Sequence, residues 1–153
     1  KARRGVLMAN KKLLCIFVVL ISITASAQES VLGKWITIDD ETGIKKSVIE
    51  LFMKGNRLHG RVDELYLTPE EGENPLCIEC EGELNGEPVR GMEILTKMAY
   101  DAEDKEWAEG EILDPENGTT YDCKLWLEDG KLFVRGYVAF FYRTQTWERL
   151  KTN

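Results

Sequence analysis

Residues 121–138 read YDCKLWLEDGKLFVRGYV, two alternating stretches that flank Asp129-Gly130. A two-residue Asp-Gly loop favours a tight type I′ hairpin, because both central positions need positive φ and these residues adopt it at low cost. Such a loop fixes the pairing: Leu127 faces Leu132, Leu125 faces Val134, Cys123 faces Gly136 and Tyr121 faces Val138. These pairs share one almost wholly apolar face. The opposite face pairs Trp126 with Phe133, Lys124 with Arg135 and Asp122 with Tyr137. One apolar and one mixed face are what an antiparallel sheet needs when it covers a core on one side and meets water on the other.

The same grammar extends in both directions. Lys54-Gly55-Asn56 joins 46–53 to 57–65, and Asn85-Gly86 leads into 89–99. Residues 101–104 turn into 107–113, and 114–118 turn into Tyr121. Residues 31–38 open the series and 143–150 close it. No heptad or long helical periodicity follows residue 28. The fold class is therefore all-β. About eight strands joined by short turns make an antiparallel up-and-down meander, which closes into a single barrel wide enough for packed side chains or one small ligand. A β-sandwich satisfies the same pattern. Residues 67–82, with Pro69, Gly72, Pro75, Cys77 and Cys80, form the one long irregular loop.

Two sets of residues carry a resemblance. Gly33-Lys34-Trp35 is similar to the Gly-x-Trp signature of lipocalin-type (calycin-like) barrels, in which the Trp plugs the closed end under an Arg from the last strand. Arg149 and Trp147 stand where such a partner is expected. The wider series comprises the segments beginning at Gly33, Asn74-Pro75-Leu76-Cys77-Ile78-Glu79-Cys80, Gly110 through Tyr121, Val134-Arg135-Gly136-Tyr137 and Arg143-Thr144-Gln145-Thr146-Trp147. In that order it resembles an exported bacterial family known as domain of unknown function 2147, over residues 31–150. The resemblance implies a lipocalin-like barrel and no assigned activity. Val138-Ala139-Phe140-Phe141-Tyr142 departs from the smaller, glycine-containing link usual in that family.

The N-terminus reads as an export signal. Lys1, Arg3, Arg4, Lys11 and Lys12 precede an apolar run over 13–23, and Ala25-Ser26-Ala27 gives a small-x-small cleavage pattern. Residues 1–27 are thus expected to be a signal peptide and 28–153 the barrel domain, with Met8 the expected initiator. The apolar run is shorter than the roughly 20 residues that span a bilayer, so no transmembrane segment is expected after processing. Cys15 lies inside the run, where lipid attachment does not occur. The expected location is the periplasm or the extracellular space.

Cleavage would leave 15 basic residues against 27 acidic ones, a net charge of −12. So negative a surface repels nucleic acid and anionic head groups, because backbone binding needs cationic side chains to release counterions.

Cys77-x-x-Cys80 is the most chemical-looking motif. A redox-active pair needs a lowered thiol pKa, usually from a helix N-terminus, whereas Glu73, Glu79, Glu81 and Glu83 surround this one. A structural disulfide stapling the long loop is the expected role. A Cys₃His zinc set of Cys77, Cys80, Cys123 and His59 is the alternative, but the spacing lacks the paired second half of a zinc signature. Cys123 points to the apolar hairpin face, as a buried thiol would. His59 is the only histidine, and near the 54–56 turn it is expected to face solvent. No nucleophile elbow, phosphate loop or His-Glu-x-x-His motif occurs, so no catalytic residue, metal or cofactor is assigned and the protein is expected not to be an enzyme.

The ligand-binding candidates are Trp35, Tyr121, Arg135, Tyr137, Arg143 and Trp147, aromatic and cationic groups near the closing strands. Arg suits a ligand carboxylate or sulfate, although Arg–aromatic stacking within the wall explains the same residues. The expected function is binding of a small apolar or amphipathic molecule. The alternative is a cell-envelope module whose outer aromatic face, around Trp126 and Phe133, contacts protein or glycan.

Overall fold

The computed structural model describes residues 30–151; the expected signal peptide, residues 1–27, lies outside them. Eight strands follow in chain order: β1 Gly33–Ile38, β2 Lys45–Lys54, β3 Arg57–Leu65, β4 Glu93–Asp101, β5 Glu106–Asp114, β6 Thr119–Glu128, β7 Lys131–Val138 and β8 Phe141–Arg149. Each pairs antiparallel with its neighbours in sequence, and β8 returns to β1, so a single sheet closes on itself. That closure is the up-and-down barrel and rules out the sandwich, which would need two sheets.

The β6–β7 hairpin has the register its Asp-Gly loop dictates, from Asp122 opposite Tyr137 to Glu128 opposite Lys131. Asp129 and Gly130 take φ of 50° and 73°, as the type I′ turn requires.

The barrel has two unlike ends. Short turns at 55–56, 102–105 and 129–130 finish one end. There Trp35, Leu51, Leu58, Leu95, Met98, Leu125, Leu132 and Trp147 fill the interior, none more than 2% exposed. Each such side chain contributes about 1.5–3 kcal/mol by leaving water. Gly110 in β5 makes this packing possible: a Cβ there would run into the Met98 sulfur and stand 2.5 Å from the Thr96 carbonyl oxygen. The other end carries the segments 39–44, 66–92, 115–118 and 139–140. The outer wall is laced with ion pairs, among them Arg61–Glu50 at 2.7 Å, Lys124–Glu106 at 2.9 Å and Lys54–Glu93 at 3.1 Å. Charge outside and apolar side chains inside is the reverse of a lipid-facing barrel. Among the described residues no helix is long and apolar enough to cross a membrane.

Two expectations need correction. The fourth strand starts at Glu93 and not at residue 89. Asn85-Gly86 is a turn within the long loop, where Gly86 N–H donates to Cys77 O and Cys77 N–H donates to Glu87 O, each at 2.9 Å. Val89 N–H then donates to Pro75 O at 2.9 Å, and Gly91 at φ 94° redirects the chain. The irregular segment therefore spans 66–92 and is folded back on itself. His59 does not face solvent. It is 8% exposed, its Nδ1 lies 3.0 Å from Glu93 Oε2, and its ring leans on Phe52.

The β1–β8 seam is short. It pairs Trp35 with Arg149 and Ile36 with Glu148. Nearer the open end the two sides are bridged by Arg143 Nε, which donates to Asp40 Oδ2 at 3.0 Å.

Candidate functional site

The closed end is capped by Trp35. Its indole N–H donates to Val31 O at 2.7 Å, and the Arg149 guanidinium lies 4.1 Å above its ring. Arg149 also donates to the carbonyls of Leu32 and Ser30, so one side chain stacks on the plug and ties down the chain leading into β1. Trp35 is therefore part of the end cap and does not line the cavity above it.

Above this cap the barrel is hollow. A cavity of about 810 Å³ rises from Trp147 to the open end, within the roughly 300–1,000 Å³ typical of small-molecule sites. Val62, Ile94, Ile112, Leu113 and Val134 contribute apolar wall. Gly136 contributes a missing side chain: a Cβ there would find ordinary contacts at 3.6 Å to Tyr121 and 3.9 Å to Ile112. Charged groups gather toward the mouth, and the polar groups deeper in the cavity are paired with one another. Trp147 Nε1 donates to Gln145 Oε1 at 3.0 Å, and the Thr37 and Ser47 hydroxyls share a hydrogen bond of 2.7 Å.

Of the six ligand-binding candidates, the fold brings Tyr121, Arg143 and Trp147 together around this cavity. Arg135 and Tyr137 lie on the outer wall. The Arg135 guanidinium sits 5.0 Å from the Trp126 ring and 4.3 Å from the Tyr142 ring, while Nε donates to the Thr144 hydroxyl at 2.8 Å. Trp126 stacks on Phe133 at 5.4 Å. These groups brace β6, β7 and β8 from outside.

The mouth is built largely from residues that strand alternation does not reveal. Leu76, Ile78, Glu79 and Val89 of the long loop line the cavity, with Tyr66 and Glu71 from its start. The loop is stapled by the Cys77–Cys80 disulfide, with both cysteines buried. It rests on the β5–β6 turn. Gly118, at φ 68°, lies so close to the Glu79 carbonyl that any Cβ would collide with it. Cys123, the remaining cysteine among the described residues, is a buried free thiol whose desolvation pushes its pKa up to about 12.

Charge at the mouth is ordered by short hydrogen bonds. Lys46 Nζ lies 2.9 Å from Glu116 Oε1, and that bond raises the lysine pKa. Asp40 likewise raises the pKa of Arg143. Asp39 accepts from the Thr42 hydroxyl at 2.7 Å and backbone N–H at 2.8 Å, which hold its carboxyl below the usual range. Glu71 accepts from the Thr68 backbone and hydroxyl at 2.7 and 2.8 Å and is lowered for the same reason. Both carboxylates are fixed as anions at neutral pH.

A barrel of this shape has a structural relative in HP1028 of Helicobacter pylori, described as belonging to the lipocalin family. The two share 14% identity and superpose with a TM-score of 0.67 over 80% of this chain and 84% of that one. At that identity the likeness shows the fold alone. No relative among curated proteins matches the chain. The family model described as "Uncharacterized protein conserved in bacteria (DUF2147)" matches residues 33–149, from the plug glycine of β1 to the stacking arginine of β8. The chain thus belongs to the DUF2147 family, with a lipocalin-like barrel as its fold.

Proposed function

We propose that the protein is an exported, non-enzymatic carrier or receptor that holds one small apolar or amphipathic molecule inside the barrel. The observation that carries this reading is the hollow upper half of an otherwise tightly filled interior, apolar at its base and polar at its mouth. A void of this size forfeits packing contacts that a folded protein normally makes. A chain of eight methylenes entering it would gain about 6 kcal/mol from leaving water, before the losses of immobilisation. Export accords with the basic, apolar and small-x-small order of residues 1–27 and with a disulfide on the mouth loop.

Native mass spectrometry of protein recovered from its own cell envelope tests this directly. A retained small molecule released on unfolding is the expected result. Protein carrying only its own mass, with a melting temperature unmoved by a panel of single-chain amphiphiles, would overturn the reading.

A second reading, a cell-envelope contact module, draws on the β7–β8 turn. Phe140 is 97% exposed, with Phe141 at 78% and Tyr142 at 62% beside the mouth. Substituting Phe140 and Phe141 with Ser would abolish envelope co-sedimentation if contact is the function, and would leave it unchanged if the cavity alone matters.

A further inference from the structure

Resting on the reading of the cavity as a binding site, we propose that its ligand carries a cationic head, such as an ammonium, on an apolar body. The mouth accordingly selects against carboxylate, sulfate and phosphate heads.

Lys46 and Arg143 are the cations among the lining residues, and both are committed: Lys46 to Glu116 at 2.9 Å, Arg143 to Asp40 at 3.0 Å. An anionic head would have to share each cation with a carboxylate already bound to it, or displace that carboxylate. It would then still face Asp39, Glu71, Glu79 and Asp114, which line the same cavity. Asp39 and Glu71 stay ionised because the hydrogen bonds from Thr42 and Thr68 favour their charged forms. Glu79 makes no ion pair among the described residues, so its charge is available to a ligand.

Two further features agree. Tyr66 and Tyr121 line the same cavity, and aromatic faces attract cations and not anions. The lower cavity is apolar, with Trp147, Val134 and Ile112 offering no counter-charge. A charged head cannot be carried down there without a large desolvation penalty, so the polar end stays at the mouth and the apolar body points to Trp147. The result reverses the expectation that arginines in this chain receive a carboxylate. Arg135 braces the outer wall and Arg143 is already paired.

Three probes of equal chain length and different head test the inference: decyltrimethylammonium, decyl maltoside and decanoate, each below its aggregation concentration and at low salt. Calorimetric titration should give affinity in that order, with about a tenfold gap between the ammonium and the carboxylate that shrinks as salt rises. The Glu71→Gln, Glu79→Gln double variant should narrow the ammonium-over-maltoside ratio about fivefold, since each glutamine keeps the shape and loses the charge. Gln at position 71 still suits a capping box. Decanoate binding as tightly as the ammonium, or an ammonium preference unchanged in the double variant, would overturn the proposal. Failure of all three probes would instead contradict the cavity as a binding site. Maltoside binding without an ammonium preference would sink only the head-group inference.

Discussion

Single residues divide the barrel into a sealed half and an open half. Arg149 seals: it stacks on Trp35 and donates to two carbonyls of the entering chain. Arg149→Ala should cost about 1–3 kcal/mol in chemical denaturation. Arg149→Lys should recover only part, because an ammonium cannot stack and fork at once. Gly136 opens: it leaves space where its strand would otherwise project a side chain. Gly136→Leu should fill the cavity without unfolding the sheet, since its φ is ordinary and the added Cβ meets nothing closer than 3.6 Å. Cys123 is inert by burial. Its thiol stays protonated at neutral pH, so alkylation at pH 8 should be negligible until denaturant is added, which mass spectrometry of the labelled peptide would read. Fast labelling of the native protein would contradict the buried placement.

At the scale of elements, the mouth loop is the part most open to perturbation. The Cys77–Cys80 bridge closes only a short ring, so by chain entropy its removal should cost no more than about 2 kcal/mol. The Cys77→Ser, Cys80→Ser variant should keep the barrel and speed exchange of a bound probe, because those cysteines hold Leu76 and Ile78 over the cavity. Gly118→Ala acts from the opposite side: its Cβ would collide with the Glu79 carbonyl, and it adds a left-handed strain of about 1 kcal/mol. Hydrogen exchange across residues 76–80 should rise in that variant and stay unchanged in the 55–56 turn.

Acid should loosen two mouth segments, the β1–β2 connection and the start of the long loop. The folded pKa values of Asp39 and Glu71 are depressed. Their contribution is therefore complete above the unfolded carboxylate range, near pH 4, and is lost as pH falls through the lower folded values. Exchange in 39–44 and 68–72 should accelerate in that acid window before β6 and β7 respond. Simultaneous loss of both regions would contradict a separately held mouth.

Across the whole molecule, legibility followed the kind of information each part carries. The β6–β7 hairpin is readable because Asp-Gly admits one turn type and alternation then assigns every side chain to a face. The plug is readable because Gly33-Lys34-Trp35 and Arg149 mark the two strands that must meet. The mouth is not readable in this way. Asn85-Gly86 has the composition of a hairpin turn, yet it closes on Cys77 inside a loop, and only the three-dimensional path brings Glu79 against Gly118. Arg135 and Arg143 are indistinguishable by type. Their opposite faces follow from the parity of β7 and β8, with Arg135 outside and Arg143 at the cavity.

The most direct measurement is a fluorescence titration with N-phenyl-1-naphthylamine, a neutral apolar probe, against the native protein and Gly136→Leu. Saturable one-to-one binding by the native protein, lost or weakened about tenfold in a Gly136→Leu variant of unchanged circular dichroism, is the predicted result. Absence of saturable binding, or equal binding by both proteins, would contradict the interior as a ligand site.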